Sequence, residues 1–120
     1  MIKVKRAYEA ATPSDGYRVL VDRIWPRGVK KEAAAIDSWL KEVAPSTELR
    51  KWFGHDPARF EAFCQKYLAE LKKQPANDAF KALQQLVKDH QTVTLVYGAK
   101  DETHNQAVVL AEELKKLPLK

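Results

Sequence analysis

The residues best suited to chemistry lie in two short segments, and the first of them is residues 23–28. It carries Arg23 and Arg27 on either side of the dipeptide Trp25-Pro26. Because proline restricts its own backbone and that of the preceding residue, such a loop can hold two guanidinium groups in fixed positions. Guanidinium groups form paired hydrogen bonds with phosphate or carboxylate oxygens. This segment therefore predicts an anion-binding loop.

The second segment, residues 98–105, offers donors of other kinds. It contains Lys100, Thr103 and His104, and we expect His104 to lie in the first turn of a helix. Lys100 would add a point charge and Thr103 a hydroxyl group, while an imidazole can transfer protons near neutral pH. We therefore predict His104 as the catalytic residue of the site, if a reaction occurs. Asp101 is expected to cap the helix rather than act as an acid.

Both segments follow predicted buried strands. Tyr17 to Val21, entered through the turn pair Asp15-Gly16, and Thr92 to Tyr97 are rich in β-branched and aromatic residues. Ligands of open α/β sheets bind beyond the carboxyl ends of the strands, where the loops diverge. If the two strands are neighbours, the two segments face each other across one crevice.

Because Asp22 lies nearby, each arginine could either pair with its carboxylate or remain available for a ligand. It directly precedes Arg23, so we expect an ion pair between these two side chains, whereas Arg27 lies beyond the proline and is expected to remain available for a ligand. Trp25 is assigned to the ligand site, although an aromatic residue beside a strand commonly packs in the core.

The remaining elements follow from periodicity and from helix caps. Ile2 to Tyr8 alternates like an edge strand with exposed lysines. Five helices are predicted: one from about Glu32 to Val43, one capped by Ser46 and ended by Gly54, one capped by Asp56, one capped by Asn77 or Asp78, and one that closes before Pro118.

Together these elements predict one α/β domain over residues 1–120. Its sheet should be small, parallel or mixed, with three strands or slightly more and with helices on both faces. The length of 120 residues suits one core. Without a long apolar run or a leader segment, we expect a cytoplasmic protein that does not bind membranes. One cysteine and three scattered histidines predict no metal site, and no cofactor is indicated.

The net charge of +5 is concentrated near the N-terminus. Residues 1–31 hold eight Lys and Arg against three acidic residues, which accounts for the whole excess. Such a concentration of positive charge favours an acidic partner.

Four motifs carry a resemblance to a known family. They are SDGYRVLVDRIWPRG at 14–28, APSTELRKWF at 44–53, YLAEL at 67–71 and TLVYGAKD at 94–101. With them the chain closely resembles the YeaO-like proteins, a bacterial and archaeal family known as domain of unknown function 488. The resemblance implies an α/β fold but no particular activity. More distant members of the family look as if they carry Cys-His-Arg at the positions of Thr103-His104-Asn105. The resemblance therefore implies a role for His104 and no thiol chemistry in this chain.

Three classes of function fit these observations to different degrees. The leading hypothesis is a domain that binds a phosphate-bearing or other anionic small molecule through Arg23, Arg27 and the segment from Lys100 to His104. The alternative is a nucleic-acid-binding or regulatory module that uses the basic N-terminal third, with Trp25 or Tyr17 as a stacking surface. A partner-binding protein without a ligand would need a contiguous apolar surface, which the sequence does not indicate.

Overall fold

A computed structural model describes residues 1–116 of the chain as an α/β domain. Four strands form one parallel sheet in the order β1-β4-β2-β3. The strands are β1 (Ile2–Arg6), β2 (Tyr17–Leu20), β3 (Ser38–Trp39) and β4 (Val93–Tyr97), and the α-helices are α1 (Lys31–Ala34), α2 (Thr47–Phe53), α3 (Phe60–Leu71), α4 (Ala76–Asp89) and α5 (Gln106–Lys115). The predicted small α/β sheet is confirmed.

Strand β4 is the centre of the sheet. All five of its residues are buried, as expected for an apolar strand covered on both faces. It pairs with β1 from Ile2↔Val93 onward and with β2 from Tyr17↔Val93 onward. Strands β2 and β4 are therefore neighbours, and the loops that follow them open at the same edge of the sheet.

The two faces of the sheet are covered differently. The main core joins Val19, Val21 and Leu95 to helices α2 to α5. On the opposite face, Leu20 and Val96 form a smaller cluster with four partly buried side chains of the segment that contains α1 and β3, namely Trp25, Val29, Ile36 and Trp39. The arginine-bearing loop therefore lies against this smaller cluster.

The helix predicted from Glu32 to Val43 is wrong. Helix α1 ends after a single turn because Ala35 adopts a left-handed conformation, with φ of 48°. The chain then forms β3, which pairs with Val19 and Leu20 of β2. Exposed backbone groups at the edge of a sheet offer a continuous ladder of hydrogen bonds, and this pairing prevailed over the helical periodicity of the apolar residues.

The predicted caps of two helices are confirmed. Ser46 Oγ accepts a hydrogen bond from the Leu49 N–H at 3.1 Å, and Gly54 ends α2 with φ of 54°. Asp56 caps a 3-10 turn, residues 57–59, that leads into α3.

Two other predicted caps are wrong. Helix α4 begins at Ala76, so Asn77 and Asp78 lie within its first turn. The cap of α5 is Asn105, whose Oδ1 accepts the Val108 N–H at 3.0 Å, and not Asp101. Pro118, predicted to follow this helix, lies outside the described residues.

A buried ion pair ties β2 to the preceding turn. Asp15 and Arg18 are each 3% exposed, and Arg18 Nη1 lies 2.6 Å from Asp15 Oδ2. Lys5 approaches the same carboxylate at 3.2 Å. Burial by itself would raise the pKa of Asp15, but hydrogen bonds from the Thr12 N–H and from Lys5 outweigh it and lower the pKa to about 2. Two of the N-terminal cations therefore share one carboxylate, which offsets half of their combined charge.

We expect Asp15→Asn to lower the free energy of unfolding by about 3–5 kcal/mol near neutral pH, because it leaves Arg18 buried without a counter-ion. The folded pKa of about 2 lies below the ordinary value of 3.8. Asp15 therefore stabilises the fold above about pH 4, and roughly 2 kcal/mol of this is lost as the pH falls towards 2. Urea denaturation at several pH values measures the effect.

The control is Asp89→Asn, on an exposed carboxylate, which should change stability by under about 0.5 kcal/mol. An equal loss in both variants would contradict the role of the ion pair.

Gly16 is required at the start of β2 for two reasons. Its φ is 66°, and a Cβ atom there would overlap the carbonyl oxygen of Thr92. Gly28 has φ of 80°, but no atom lies within 4 Å of the corresponding position. Gly16→Ala should therefore destabilise the protein by clearly more than the roughly 1–2 kcal/mol of left-handed strain that Gly28→Ala causes. Equal thermal unfolding of the two variants would contradict this account.

Candidate functional site

A cavity of about 510 Å³ opens at the carboxyl ends of β2 and β4. Three parts of the chain supply most of its lining: the loop after β2, the region around α2, and the segment from the end of β4 to the start of α5. Tyr8 and Phe63 complete it. A volume of this size suits a small-molecule ligand. The crevice predicted between the two loops is therefore present.

Asp22 connects three elements at this cavity. Its Oδ2 accepts the Gly98 N–H at 2.8 Å, and its Oδ1 accepts a hydrogen bond from Gln106 Nε2 at 2.6 Å. Burial raises the pKa of Asp22 to about 6, although these two hydrogen bonds and the charges of Arg50 and His55 act in the opposite direction. The carboxylate thus ties the end of β2 to the end of β4 and to the first turn of α5.

The glycine at the end of β4 makes this contact geometrically feasible. A Cβ atom on Gly98 would lie 2.9 Å from Asp22 Oδ2, inside ordinary van der Waals contact. The close approach of the carboxylate to the backbone therefore depends on the absence of a side chain at this position.

Arg23 lines the cavity but does not pair with Asp22, so that expectation is wrong. Its Nε donates to the Pro45 carbonyl oxygen at 3.2 Å, and its Nη2 donates to the Ala44 carbonyl oxygen at 3.1 Å. Both carbonyl groups belong to the buried turn before α2. These hydrogen bonds orient the guanidinium group, and its partners are neutral carbonyl groups rather than a carboxylate.

Arg27 and Trp25 also line the cavity, as predicted. Arg27 is exposed, and Tyr8 holds its backbone by donating a hydrogen bond to the Arg27 carbonyl oxygen at 2.9 Å. The Trp25 indole N–H donates to the Val29 carbonyl oxygen at 2.7 Å, and its ring meets Trp39 edge to face at 5.4 Å. Trp25 therefore belongs partly to the smaller core, which fixes the loop on which both arginines lie.

Arg50 and His55 are two cavity residues that the sequence analysis missed. Arg50 lies on α2, and His55 follows Gly54 with φ of 57°, so two successive left-handed residues turn the chain back to the cavity. A single arginine on an amphipathic helix carries no signal in sequence. The Gly-His pair after a helix was the one available indication, because a non-glycine residue in this conformation commonly marks a special site.

Of the residues predicted in the second segment, only His104 reaches the cavity. Its Nδ1 lies 2.9 Å from Asp101 Oδ2 and 2.9 Å from Thr103 Oγ1, and Phe60 meets its ring edge to face at 5.0 Å. It precedes the cap of α5, so the predicted location in the first helical turn is wrong. Thr103 and Lys100 are exposed and do not line the cavity.

Asp101 positions the imidazole rather than the helix. Its carboxylate accepts the N–H groups of Thr103 at 2.9 Å and His104 at 3.0 Å, which closes the turn before α5. These hydrogen bonds, that of Thr103 foremost, lower the pKa of Asp101 to about 2. Asp101 is therefore an ionised acceptor that holds Nδ1 of His104 and leaves Nε2 for other contacts.

The cavity has a strongly basic lining. Among residues 1–116, no carboxylate oxygen lies within 4.0 Å of the guanidinium groups of Arg23, Arg27 or Arg50. Asp22 is the acidic residue of the described lining. With three arginines against one aspartate, the described lining carries a net positive charge.

Residues 1–116 contain no group of three or more His, Cys, Asp or Glu side chains placed to hold a metal ion. None of their helices is long and apolar enough to cross a membrane.

The fold and the cavity define a small parallel α/β domain with a basic cavity at the carboxyl edge of its sheet. The chain belongs to the family DUF488-N3i, described as the inactive DUF488-N3 subclade, which matches residues 1–118. The resemblance seen in the sequence motifs is thereby confirmed.

Relatives span nearly the whole chain. It is 48% identical over 116 residues to the uncharacterized protein YeaO of Escherichia coli K12, covering 97% of this chain and 98% of that protein. It is 41% identical over 113 residues to the uncharacterized protein Rv3073c of Mycobacterium tuberculosis H37Rv, and equally to Mb3100c of Mycobacterium bovis, covering 94% of this chain and 92% of each relative. No solved structure gives a significant match.

We expect Asp22→Asn to stabilise the protein by up to about 2 kcal/mol near pH 8. The folded pKa of about 6 lies above the ordinary 3.8. The folded chain therefore binds this proton more tightly, and wild-type stability falls as the pH rises from about 4 through 6. An asparagine keeps the shape and avoids this loss. Urea denaturation across the pH range should show the gain vanishing below about pH 4.

Asp101→Asn is the matched control, because the pKa of Asp101 is shifted in the opposite direction. This variant should lose stability near pH 8 rather than gain it. If Asp22→Asn were clearly less stable than the wild type at that pH, the negative charge itself, and not the shape of the side chain, would hold Gly98 and Gln106.

Proposed function

We propose that this domain binds a phosphate-bearing or other anionic small molecule in the basic cavity. Arg23 and Arg27 clamp its oxygens, Arg50 and His55 add positive charge or donors at the rim, and His104 contributes its Nε2. Lys100 and Thr103 act at most through the local field, because they lie outside the lining.

The observation that carries the proposal is that three arginines line one cavity and, among residues 1–116, none of them has a carboxylate partner. Arginines in structural networks are commonly matched with acidic side chains, as Arg18 is with Asp15. Arg23 is instead held by the carbonyl groups of Ala44 and Pro45, which fix its position and leave its charge uncompensated. An anion with several oxygens supplies the missing partners.

Binding without turnover is the form of the proposal that the family favours. The subclade is described as inactive, and the family resemblance implies no thiol chemistry at Thr103. Asp101 orients the imidazole of His104 in a manner suited to proton transfer. A catalytic role for His104 therefore stays a prediction, and ligand contact is the role we assign to it.

The contacts favour a small molecule over nucleic acid. The Tyr17 ring is stacked on His90 with centroids 4.0 Å apart, and the Trp25 ring packs on Trp39, so neither is an open stacking surface. Lys5 and Arg18, two of the basic residues of the N-terminal third, are paired with Asp15. The surface available to several successive phosphates is correspondingly smaller.

We expect Arg27→Ala to weaken the binding of inorganic phosphate by about tenfold or more, as the loss of a hydrogen bond to a charged group does. Its stability should stay within about 0.5 kcal/mol of the wild type, because the Arg27 side chain is exposed. Isothermal titration measures the phosphate affinity, and an NMR map of amide shifts locates the bound phosphate. Urea denaturation measures the stability.

Lys30→Ala is the control, because it removes one positive charge from the same third of the chain outside the cavity lining. It should bind phosphate like the wild type. Shifts confined to residues away from the cavity would refute the site. Retardation of short oligonucleotides at low salt, with no phosphate binding in the cavity, would favour the nucleic-acid alternative.

A further inference from the structure

We propose that the anionic ligand also carries an N–H donor group, such as an amine, and that Asp22 binds this group. The inference rests on the proposed function, since it assigns the second half of a ligand whose anionic half is held by the arginines. The ligand class is thus an aminated anion, with a phosphate or similar group at one end and a nitrogen donor at the other.

The cavity is bipolar. Arg27, Arg50 and His55 are exposed and form its outer part, whereas Asp22 is half-buried. A ligand that entered with its anionic group at the outer arginines would therefore place its other end towards the carboxylate. An anion without a donor would meet electrostatic repulsion there.

Asp22 retains acceptor capacity. An ionised carboxylate can accept about four hydrogen bonds. The protein supplies two, one from Gly98 to Oδ2 and one from Gln106 to Oδ1. Among the described residues, no Lys, Arg or His nitrogen lies within 4.0 Å of this carboxylate. A donor from the ligand would complete its coordination.

The electrostatics of the carboxylate support the same conclusion. Burial raises the pKa of Asp22 to about 6 even in the presence of the two hydrogen bonds and the neighbouring Arg50 and His55. The charged form, which prevails at neutral pH, is therefore under-stabilised by the protein's own contacts. A positively charged or polar N–H group relieves this deficit when it binds.

Gln106 adds a second acceptor beside the first. Its Nε2 is engaged with Asp22 Oδ1 and approaches the Val21 carbonyl oxygen at 3.4 Å. The Oε1 atom of the same side chain, which lines the cavity, accepts no hydrogen bond from residues 1–116. A primary amine has more than one N–H to donate, so it can use both acceptors.

The test compares aminoethyl, aminopropyl and aminobutyl phosphate with ethyl, propyl and butyl phosphate, by isothermal titration near pH 8. The amine reduces the net negative charge, so a cavity that only attracts anions should prefer the alkyl member of every pair. We expect the wild type instead to prefer at least one aminoalkyl phosphate by about tenfold or more, the effect of a hydrogen bond to a charged group. Three chain lengths are used so that the result does not depend on one assumed distance between the phosphate and the amine.

Asp22→Asn separates the ligand role from a purely structural one. Its preference for the aminoalkyl member of every pair should fall to about twofold or less, measured against its own binding of the alkyl member. In the wild type, the preference should also fade as the pH falls through about 6, because the Asp22 carboxylate becomes protonated. Thermal melts establish that the variant is folded.

The outcomes distinguish the two proposals. If the wild type binds neither inorganic phosphate nor any alkyl or aminoalkyl phosphate, the proposed function fails. If phosphate binds but no amino compound is preferred, or if Asp22→Asn keeps the preference, the anion site stands and the assignment of Asp22 to the ligand is overturned. In that case the carboxylate serves only to join Gly98 and Gln106.

Discussion

The cavity depends on one carboxylate, that of Asp22, which holds together three chain segments that would otherwise diverge. Parallel strands β2 and β4 release their loops at the same edge, and backbone pairing stops there. Beyond that point, the Asp22 bonds to Gly98 and Gln106 continue the connection from the sheet to α5. Since backbone groups at the end of a ladder need partners, this single side chain both satisfies the Gly98 N–H and joins the ends of β2 and β4.

The sequence was informative about this fold wherever local chemistry and tertiary packing agree. Apolar β4 is buried, and Ser46, Gly54 and Asp56 mark helix boundaries through their own hydrogen bonds or backbone preference. It misled where they disagree. The apolar residues between Glu32 and Val43 have a helical period, but a partner strand with free backbone groups drew Ser38–Trp39 into the sheet. Period alone does not reveal that partner.

For the site, the rule that ligands bind beyond the carboxyl ends of parallel strands located the cavity and four of its residues: Arg23, Trp25, Arg27 and His104. Individual side-chain contacts were beyond its reach. Adjacency suggested that Arg23 pairs with Asp22, yet neighbouring residues at a strand end point in different directions, and Arg23 bonds the turn before α2. Arg50 reaches the cavity through tertiary packing of α2, which no local pattern encodes, whereas the Gly54-His55 pair was a local indication of His55.

Asp22 is an ionisable group at the point where three chain segments meet, and its structural role alone does not explain its charge. An asparagine in place of Asp22 could still accept the Gly98 N–H, and it would not incur the cost that raises the pKa of Asp22 to about 6. The hydrogen bond to the Gly98 N–H therefore does not by itself require a charged side chain. The neighbouring arginines offset only part of the cost, since none lies within ion-pairing distance. In a subclade described as inactive, proton transfer to a substrate is not the expected use of this group. The proposed contact between Asp22 and an N–H donor would give this charge a use, because such a donor stabilises a carboxylate that the protein's own contacts leave under-stabilised.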